Sequence, residues 1–572
     1  MTKDSFDQTF DYIVVGAGSA GAIVASRLSE DRDTSVLLLE FGGKDNSIFI
    51  RMPTALSIPL NMPKYDWEFY TGPEPGLKGR RIHQARGKVI GGSSSINGMA
   101  FVRGCKGDYE EWAQLGAGGW AYADVLPYFR RSETCVYGED AYRGGKGPIT
   151  ACNGNNMQNP LYRAFIEAGK QAGYGYTEDY NGYRQEGFGR MDMSVRDGVR
   201  CSTALAYLKP ALERSNLELK MHALTTRVIM EGKKAIGVEY EQHGKKFRVR
   251  AKREVILSAS AFNSPKLLML SGIGPAEHLK EHGIEVVHDL PGVGQNLHDH
   301  LEVWVQQECT QKITLNGVLG PLSKAWIGLQ WLLFKRGLGA SNHFESNGYI
   351  RSREGLEWPD IQYHFLAGAI AYDGSSAVKG HGFQAHLGCN KPLSRGWVKL
   401  KSTDPRQQPE MFFNYLDREE DKQAFRAGLH FTREIFAQPA MDPYRGREIE
   451  PGKDVQSDDE IDNWVAESAE TAYHPAGSCR MGTDDMAVVD PECRVHGVEN
   501  LRVVDSSIMP TVTNGNLNAP TIMIGEKGAD HIRGKGMLQP SAADSYTAEN
   551  WQQSQREQRP QRPVGNKPQA DR

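Results

Sequence analysis

The 572-residue chain contains no run of the ~18 consecutive apolar residues that a membrane-crossing helix requires. It also has no excess charge of one sign. Its 67 Lys and Arg stand against 71 Asp and Glu, a formal net charge of −4. Such a balance gives no global field for nucleic acid, and no nucleic-acid partner is expected. Cysteine is sparse: the eight residues, at 105, 135, 152, 201, 309, 389, 479 and 493, include no C-x-x-C pair. This is too thin for a secreted disulfide scaffold, so reduced thiols in a cytosolic-type compartment are expected. The first ten residues carry Asp4 and Asp7 and lack a basic start followed by an apolar run. Neither a secretory signal nor an Arg-rich transit peptide is read there. G-x-S-x-G and G-x-x-x-x-G-K-[ST] are both missing, which argues against a serine hydrolase of that type and a P-loop NTPase.

What is present is glycine, 62 residues, where an average chain of this length would have about 40. No three-residue period accompanies the excess, so collagen is excluded. The glycines belong in turns, in tight packing, or where backbone touches a ligand. Hydrophobic residues make up 39%, enough for a large core, and the length suggests two to four domains.

Asp11-Tyr-Ile-Val-Val15 reads as a buried strand, followed by Gly16-Ala-Gly-Ser-Ala-Gly21 and a small-residue helix to about Leu28. Val36–Glu40 is a second buried strand. Gly16, Gly18 and Gly21 form G-x-G-x-x-G, whose glycines allow a tight turn, close approach to a pyrophosphate and close helix–strand packing. The helix N-terminus offers free N–H groups to phosphate. Glu40 lies nineteen residues beyond Gly21, where a carboxylate can accept both ribose hydroxyls of an adenosine. The unit binds ADP but does not separate NAD from FAD. A second cluster, Arg86–Met99, packs glycines, small hydroxyls and a lysine into one loop that can approach a second phosphate or a flat ring.

Further along, residues 217–257 alternate like strands, with a hairpin near 241–245 and a buried strand at 254–258. A helix is expected over 265–270, a strand over 501–505 and a helix over 519–532. The segment from 538 to 572 is rich in Gln, Pro, Ser, Arg and Glu, and is expected to be disordered.

Five segments resemble the glucose–methanol–choline (GMC) oxidoreductases. They are Gly87–Phe101, Ser260–Gly274, Pro291–His300, Tyr473–Gly482 and Asn514–Gly525. The resemblance spans roughly residues 10 to 535. Gly339–Glu345, Trp358–Phe365 and Tyr444–Ile449 are most similar to the family's bacterial choline-oxidising members. The resemblance implies an α/β fold with an α+β second domain: a Rossmann-like FAD-binding domain (9–160, 216–305 and 466–537) interleaved with a substrate domain on a mainly antiparallel sheet (161–215 and 306–465). It implies FAD as cofactor and choline or a similar small alcohol as substrate. Members with covalent FAD carry histidine where this chain has Ile96, so FAD is expected to be non-covalent. Phe41 departs from the common alanine after Glu40.

Cofactor contacts are expected from Gly16, Gly18, Ser19, Ala20, Gly21 and Glu40, from Gly91, Gly92, Ser93 and Asn97, and from Val228, Asp505 and Asn516. His474, in Tyr-His-Pro, matches the family's catalytic histidine. An imidazole of pKa near ~6.5 can act as a base at neutral pH. Asn518 matches a second catalytic position, where an amide donates to the substrate oxygen; Asn514 and Asn516 lie close by, and only the family register selects among the three. A quaternary ammonium is recognised by aromatic faces and a carboxylate; by the same resemblance Glu302 matches a cation-facing glutamate, Trp67 a cage tryptophan and His364 a further active-site histidine of the choline-oxidising members, and Tyr473, beside His474, offers another wall, so these four are the expected substrate residues. His298, Asp299 and His300 have no second ligand cluster beside them, and no metal is expected. The electron acceptor is oxygen or a quinone, and no motif chooses between them. Residues 325–336 read either as a helix resting on a membrane or as part of the substrate-domain core. The expected compartment is the bacterial cytoplasm, with any membrane contact peripheral at the inner membrane. A homo-oligomer is left open.

Overall fold

The computed structural model describes residues 6–154, 156–371 and 373–563. Its first sheet has seven strands. Gln8–Val15 lies at the centre, paired in parallel with Val36–Leu39 on one side and with Lys245–Leu257 on the other. Leu217–Lys220 extends the sheet in parallel beyond Val36–Leu39, and Leu501–Val503 joins Lys245–Leu257. The antiparallel strands Ala223–Glu231 and Lys234–Gln242 complete it. The hairpin expected near 241–245 is there, with Gln242 opposite Lys245. Ile13, Val14 and Leu37 to Leu39 are buried on both faces, as the unbroken apolar runs required. The helix Gly21–Leu28 leaves the central strand, and the helix Asn518–Arg533 lies against it, tied by the ion pair between Arg27 and Glu526 at 2.8 Å.

The second sheet is antiparallel, in the order Arg445–Glu450, Leu301–Cys309, Gly382–Cys389, Ile361–Leu366, Phe344–Ile350, Gly187–Arg190. Its three central strands alternate. Leu301, Val303, Val305, Phe383, Ala385, Leu387, Ile361, Tyr363 and Phe365 enter a second apolar core with the helices Pro160–Gln171 and Glu419–Phe436. The opposite set is polar: Glu302, Trp304, Gln306, Gln362, His364, Gln384 and His386. A polar face is ordinarily wet, yet Gln384 is fully buried and Glu302 and His386 are each only 6% exposed. Glu302, Trp304, His364, Gln384 and His386 of this row line a cavity.

Residues 201–211, within the stretch 161–215 assigned to the substrate domain, pack into the first core through Ala204, Tyr207 and Leu208. Tyr207 also donates to Glu526 at 2.7 Å, which ties the segment to the helix Asn518–Arg533. The segment beyond 537, read as disordered, is docked as far as residue 563; residues 564–572 lie outside the described residues. Its composition offers little apolar burial, so it is held by polar links. Ser541 N–H donates to the Ala123 carbonyl, Tyr546 N–H to Tyr183 and Gln561 N–H to Gln171. Arg556 pairs with Glu434 at 2.6 Å and lies over the Tyr174 ring.

Candidate active site

One large cavity, about 710 Å³, runs from the first glycine loop to the polar face of the second sheet. At one end Gly16, Gly18, Ser19 and Ala20 face Gly92 and Ser93. The two loops touch. A Cβ on Gly92, whose φ is +53°, would come within 2.6 Å of the Gly18 Cα. A Cβ on Gly16, at φ +99°, would lie 2.4 Å from the Ser258 carbonyl oxygen. Only glycine fits this cradle. Glu40 is buried behind it, accepting from Ala17 N–H at 2.9 Å and Gly42 N–H at 2.7 Å; burial raises its pKa to about 7. Asp505 accepts from Ser260 N–H at 2.9 Å and from Ser264 Oγ at 2.6 Å.

At the other end stands His474, with its backbone over-determined. Its N–H donates to Asp299 Oδ1 at 2.7 Å, and Asp299 Oδ2 accepts from Tyr415 Oη at 2.6 Å and from Thr471. The preceding residue, Tyr473, has φ +64°, and its carbonyl accepts from Arg86 at 2.5 Å. A bulky residue in the left-handed region costs free energy of order 1–3 kcal/mol and marks a position held by its surroundings.

The hydrogen-bond chain through the imidazole determines its tautomer. The Asn390 carbonyl, which can only accept, lies 3.0 Å from His300 Nε2, so that nitrogen carries a proton. In a neutral ring His300 Nδ1 is then an acceptor, and it lies 3.0 Å from His474 Nδ1. His474 therefore carries its proton on Nδ1 and presents a bare Nε2 lone pair, 3.2 Å from the Asn516 amide nitrogen. Asn516 Oδ1 in turn accepts from Gln362 Nε2 at 3.2 Å, with His364 Nε2 at 3.1 Å. Both rings of the pair are neutral. Burial lowers His300 to about 3, and burial, then His300, His364 and Arg86, hold His474 well below its ordinary value.

A GMC oxidoreductase model matches residues 10–302 with its N-terminal part and 392–525 with its C-terminal part. The oxygen-dependent choline dehydrogenase of Photobacterium profundum is 57% identical over 97% of this chain and 98% of its own length. That of Vibrio vulnificus is 57% identical over 97% and 100%. Among solved structures, pyridoxine 4-oxidase from Mesorbium loti superposes with a TM-score of 0.84 at 32% identity, covering 92% of this chain and 100% of that one. A variant of Aspergillus oryzae formate oxidase gives 0.87 at 28%, covering 93% and 99%.

The chain belongs to the GMC oxidoreductase family. Its cavity brings together most of the residues expected from sequence: Gly16, Gly18, Ser19, Ala20, Glu40, Gly92, Ser93, Asn97, Asp505, Asn516, Asn518, Trp67, Glu302, His364, Tyr473 and His474 all line it. Gly21 and Gly91 do not. Gly21 serves packing, since a Cβ there would lie 1.9 Å from the Gly16 carbonyl oxygen. The Val228 side chain is buried in the core and its N–H is taken by Ser271 Oγ at 2.8 Å; the same strand reaches the cavity through Ala223, Leu224 and Thr225.

Asn518 Oδ1 accepts from Ser19 Oγ of the first glycine loop at 3.1 Å. Asn516 Nδ2 lies 3.2 Å from His474 Nε2. Asn514 Oδ1 accepts from Asn390 Nδ2 at 2.6 Å and so braces the residue whose carbonyl orients His300. Asn518 begins the helix and Asn516 lies two residues before it, so the two side chains leave in different directions. Phe41 stacks on Trp67, with centroids 4.9 Å apart.

Sequence reading passed over four residues: His300 and Asp299, read as having no role, and Trp304 and His386. The last two both donate to Glu302 Oε1, at 3.1 and 2.9 Å. The alternation Glu302-x-Trp304 and Gln384-x-His386 was the available signal, because polar residues at period two on strands with a buried opposite face point to a lined cavity. Among the described residues no group of three His, Cys, Asp or Glu is arranged to hold a metal.

Proposed function

We propose that this chain oxidises choline to betaine aldehyde, with His474 as base and non-covalently held FAD as cofactor. The observation that carries this reading is the bare Nε2 of His474 in the same cavity as the Glu302 carboxylate. The names of the curated relatives agree with it.

The glycine cradle, the helix N-terminus at Gly21 and the Glu40 carboxylate suit the pyrophosphate and ribose of FAD. Ile96, buried in the cavity wall, offers no side-chain nucleophile for a covalent link. FAD, when bound, supplies the acceptor for the hydride that leaves the carbinol carbon. His474 Nε2 takes the hydroxyl proton, and its Nδ1–H bond to His300 steadies the imidazolium that forms. The Asn516 amide, beside the same nitrogen, donates to the substrate oxygen as charge builds on it. The His364 ring stands beside Asn516 and steadies its amide. Glu302 faces the trimethylammonium, and Trp67 and Tyr473 supply aromatic walls. Hydrated betaine aldehyde carries a hydroxyl on the same carbon, so the same base serves a second oxidation to glycine betaine. The cofactor-binding part comprises 9–160, 216–305 and 466–537 together with 201–211, and the rest of 161–215 and 306–465 forms the substrate part.

Anaerobic addition of choline should bleach the flavin spectrum, while ethanol and sorbitol should leave it unchanged. Acid denaturation should release the yellow cofactor into the supernatant. A protein that stays colourless after reconstitution with FAD would refute the reading.

Oxygen is the acceptor that the relatives' names support. A second observation favours contact with a lipid surface. The helix Pro321–Phe334 turns its apolar stripe outward, with Leu322 88%, Trp326 64% and Leu333 64% exposed. The segment 310–344 around it carries Lys312, Lys324, Lys335 and Arg336 and no acid. Ile327 and Lys324 of the same helix line the cavity. Flotation with phosphatidylglycerol vesicles, compared for the parent and Leu322→Ser/Trp326→Ser, tests this contact. Equal flotation of the two would end it. No described helix is long and apolar enough to cross a membrane. Eight unbridged cysteines support a reducing compartment such as the bacterial cytoplasm.

A further inference from the structure

The cavity face of the second sheet holds one titratable group for which the reaction has no task. His386 sits on the strand Gly382–Cys389, directly across from Trp304, with its Nδ1 2.9 Å from Glu302 Oε1. Were it protonated, the imidazolium would cancel the carboxylate on which a cationic substrate depends.

Its other nitrogen decides which state it takes. His386 Nε2 lies 2.7 Å from Gln384 Nε2. The Gln384 amide cannot be turned over, because the backbone of Ile370 holds both of its ends. Oε1 accepts from Ile370 N–H at 3.0 Å, and Nε2 donates to the Ile370 carbonyl at 3.1 Å. Gln306 Nε2 adds a further bond to Oε1 at 2.9 Å. Gln384 therefore presents an N–H to the ring, and His386 Nε2 must be a lone pair. The single ring proton is on Nδ1 and is donated to Glu302. A second proton on Nε2 would set N–H against N–H inside a fully buried pair.

We propose that Gln384 is a positioning residue for cation selectivity. It holds His386 as the neutral Nδ1–H imidazole, and so preserves the negative charge of Glu302 for a quaternary ammonium. The inference rests on choline being the substrate.

Among the described residues, four other titratable groups near this carboxylate do not take over the role. His364, on the adjacent strand, and His300 are lowered by burial to about 4 and about 3 and stay neutral. Tyr473 is pushed up by burial and keeps its proton. Glu470 is ion-paired with Arg80.

The test measures KM for choline and for its uncharged isostere 3,3-dimethylbutan-1-ol between pH 9 and pH 6, and follows their ratio. Dividing by the uncharged alcohol removes effects of the base that the two substrates share. In the parent the ratio should hold within twofold. In Gln384→Met, where Nε2 is free to take a proton, it should rise at least fivefold toward pH 6. In Gln384→Met/His386→Gln it should be flat again, a rescue that a merely structural role for Gln384 would not give. A flat ratio in Gln384→Met overturns the proposal. A ratio that climbs in the parent also overturns it, and that measurement stands even if the variant fails to fold. Equal KM for the two alcohols at every pH overturns the substrate reading itself, and this inference with it.

Discussion

His300 and His474 face each other through their Nδ1 atoms at 3.0 Å, both buried, with rings nearly perpendicular at 83°. One of two facing Nδ1 atoms must carry the proton, and the Asn390 carbonyl decides which. His300→Phe removes the acceptor and releases the His474 tautomer. The expected result is a fall in kcat of about 10²-fold with little change in KM, toward the loss of about 10²–10⁴ expected for His474→Ala. Steady-state kinetics on enzyme with matched flavin content checks both.

Asn516 and Asn518 should separate in their effects. Asn516→Ala should cut kcat while the cofactor stays bound, because its amide meets the base. Asn518→Ala breaks the bond to Ser19 and should weaken cofactor retention more than it slows the loaded enzyme. Flavin dissociation under dialysis, measured beside kcat, distinguishes them. Equal losses of both properties in both variants would contradict the assignment.

The base should work well into the acid range. Burial, then the neighbouring His300, His364 and Arg86, hold His474 well below its ordinary value of ~6.5, which favours the unprotonated ring at neutral and mildly acid pH. The sign is direct: a lowered pKa moves the acid limb of kcat/KM to lower pH. Between pH 8 and pH 6 the profile for an uncharged alcohol should fall by less than about twofold, whereas an unperturbed imidazole would lose about three-quarters of its activity. A limb centred near 6.5 would show that the loaded site is far wetter than the cavity described above.

Glu302→Gln keeps an acceptor for Trp304 and His386 but removes the charge. The choline KM should rise about tenfold or more, with 3,3-dimethylbutan-1-ol nearly unaffected. A loss shared equally by both alcohols would mean that Glu302 shapes the cavity without binding the cation.

Removing residues 540–572 breaks the links of Ser541, Tyr546, Arg556 and Arg562 to the rest of the chain. Melting temperature should drop by at least ~2 °C with the flavin spectrum retained. An unchanged melt would mean that this segment rests on the surface without stabilising it.

The parts of this protein legible in its sequence are those whose geometry is settled by near neighbours along the chain. The strand–turn–helix at 11–28 is one: glycine at 16, 18 and 21 permits the tight turn and close contacts that other residues would block, and Glu40 follows at the end of the next strand. The Tyr-His-Pro segment is another, because it carried its resemblance within ten residues. The alternation of residues 301–309 and 382–389 was also there to be read, but without the pairing of the strands nothing indicated that the polar face was buried. Tertiary structure decided the rest. Asn516 bonds His474 while Asn518, at the start of the helix, bonds Ser19. His300 gains its role only where the strand Leu301–Cys309 and the segment at 474 converge, and His386 only because the register sets Trp304 opposite it. The terminal segment looked unable to fold by its composition, and it does lack apolar residues. It is ordered by backbone donors and arginines that find acceptors on distant surfaces, which no local count of hydrophobicity contains. Backbone conformation is a short-range property, while hydrogen-bond partners and charge balance are assembled across the fold, and the chemistry of this cavity depends mainly on the latter.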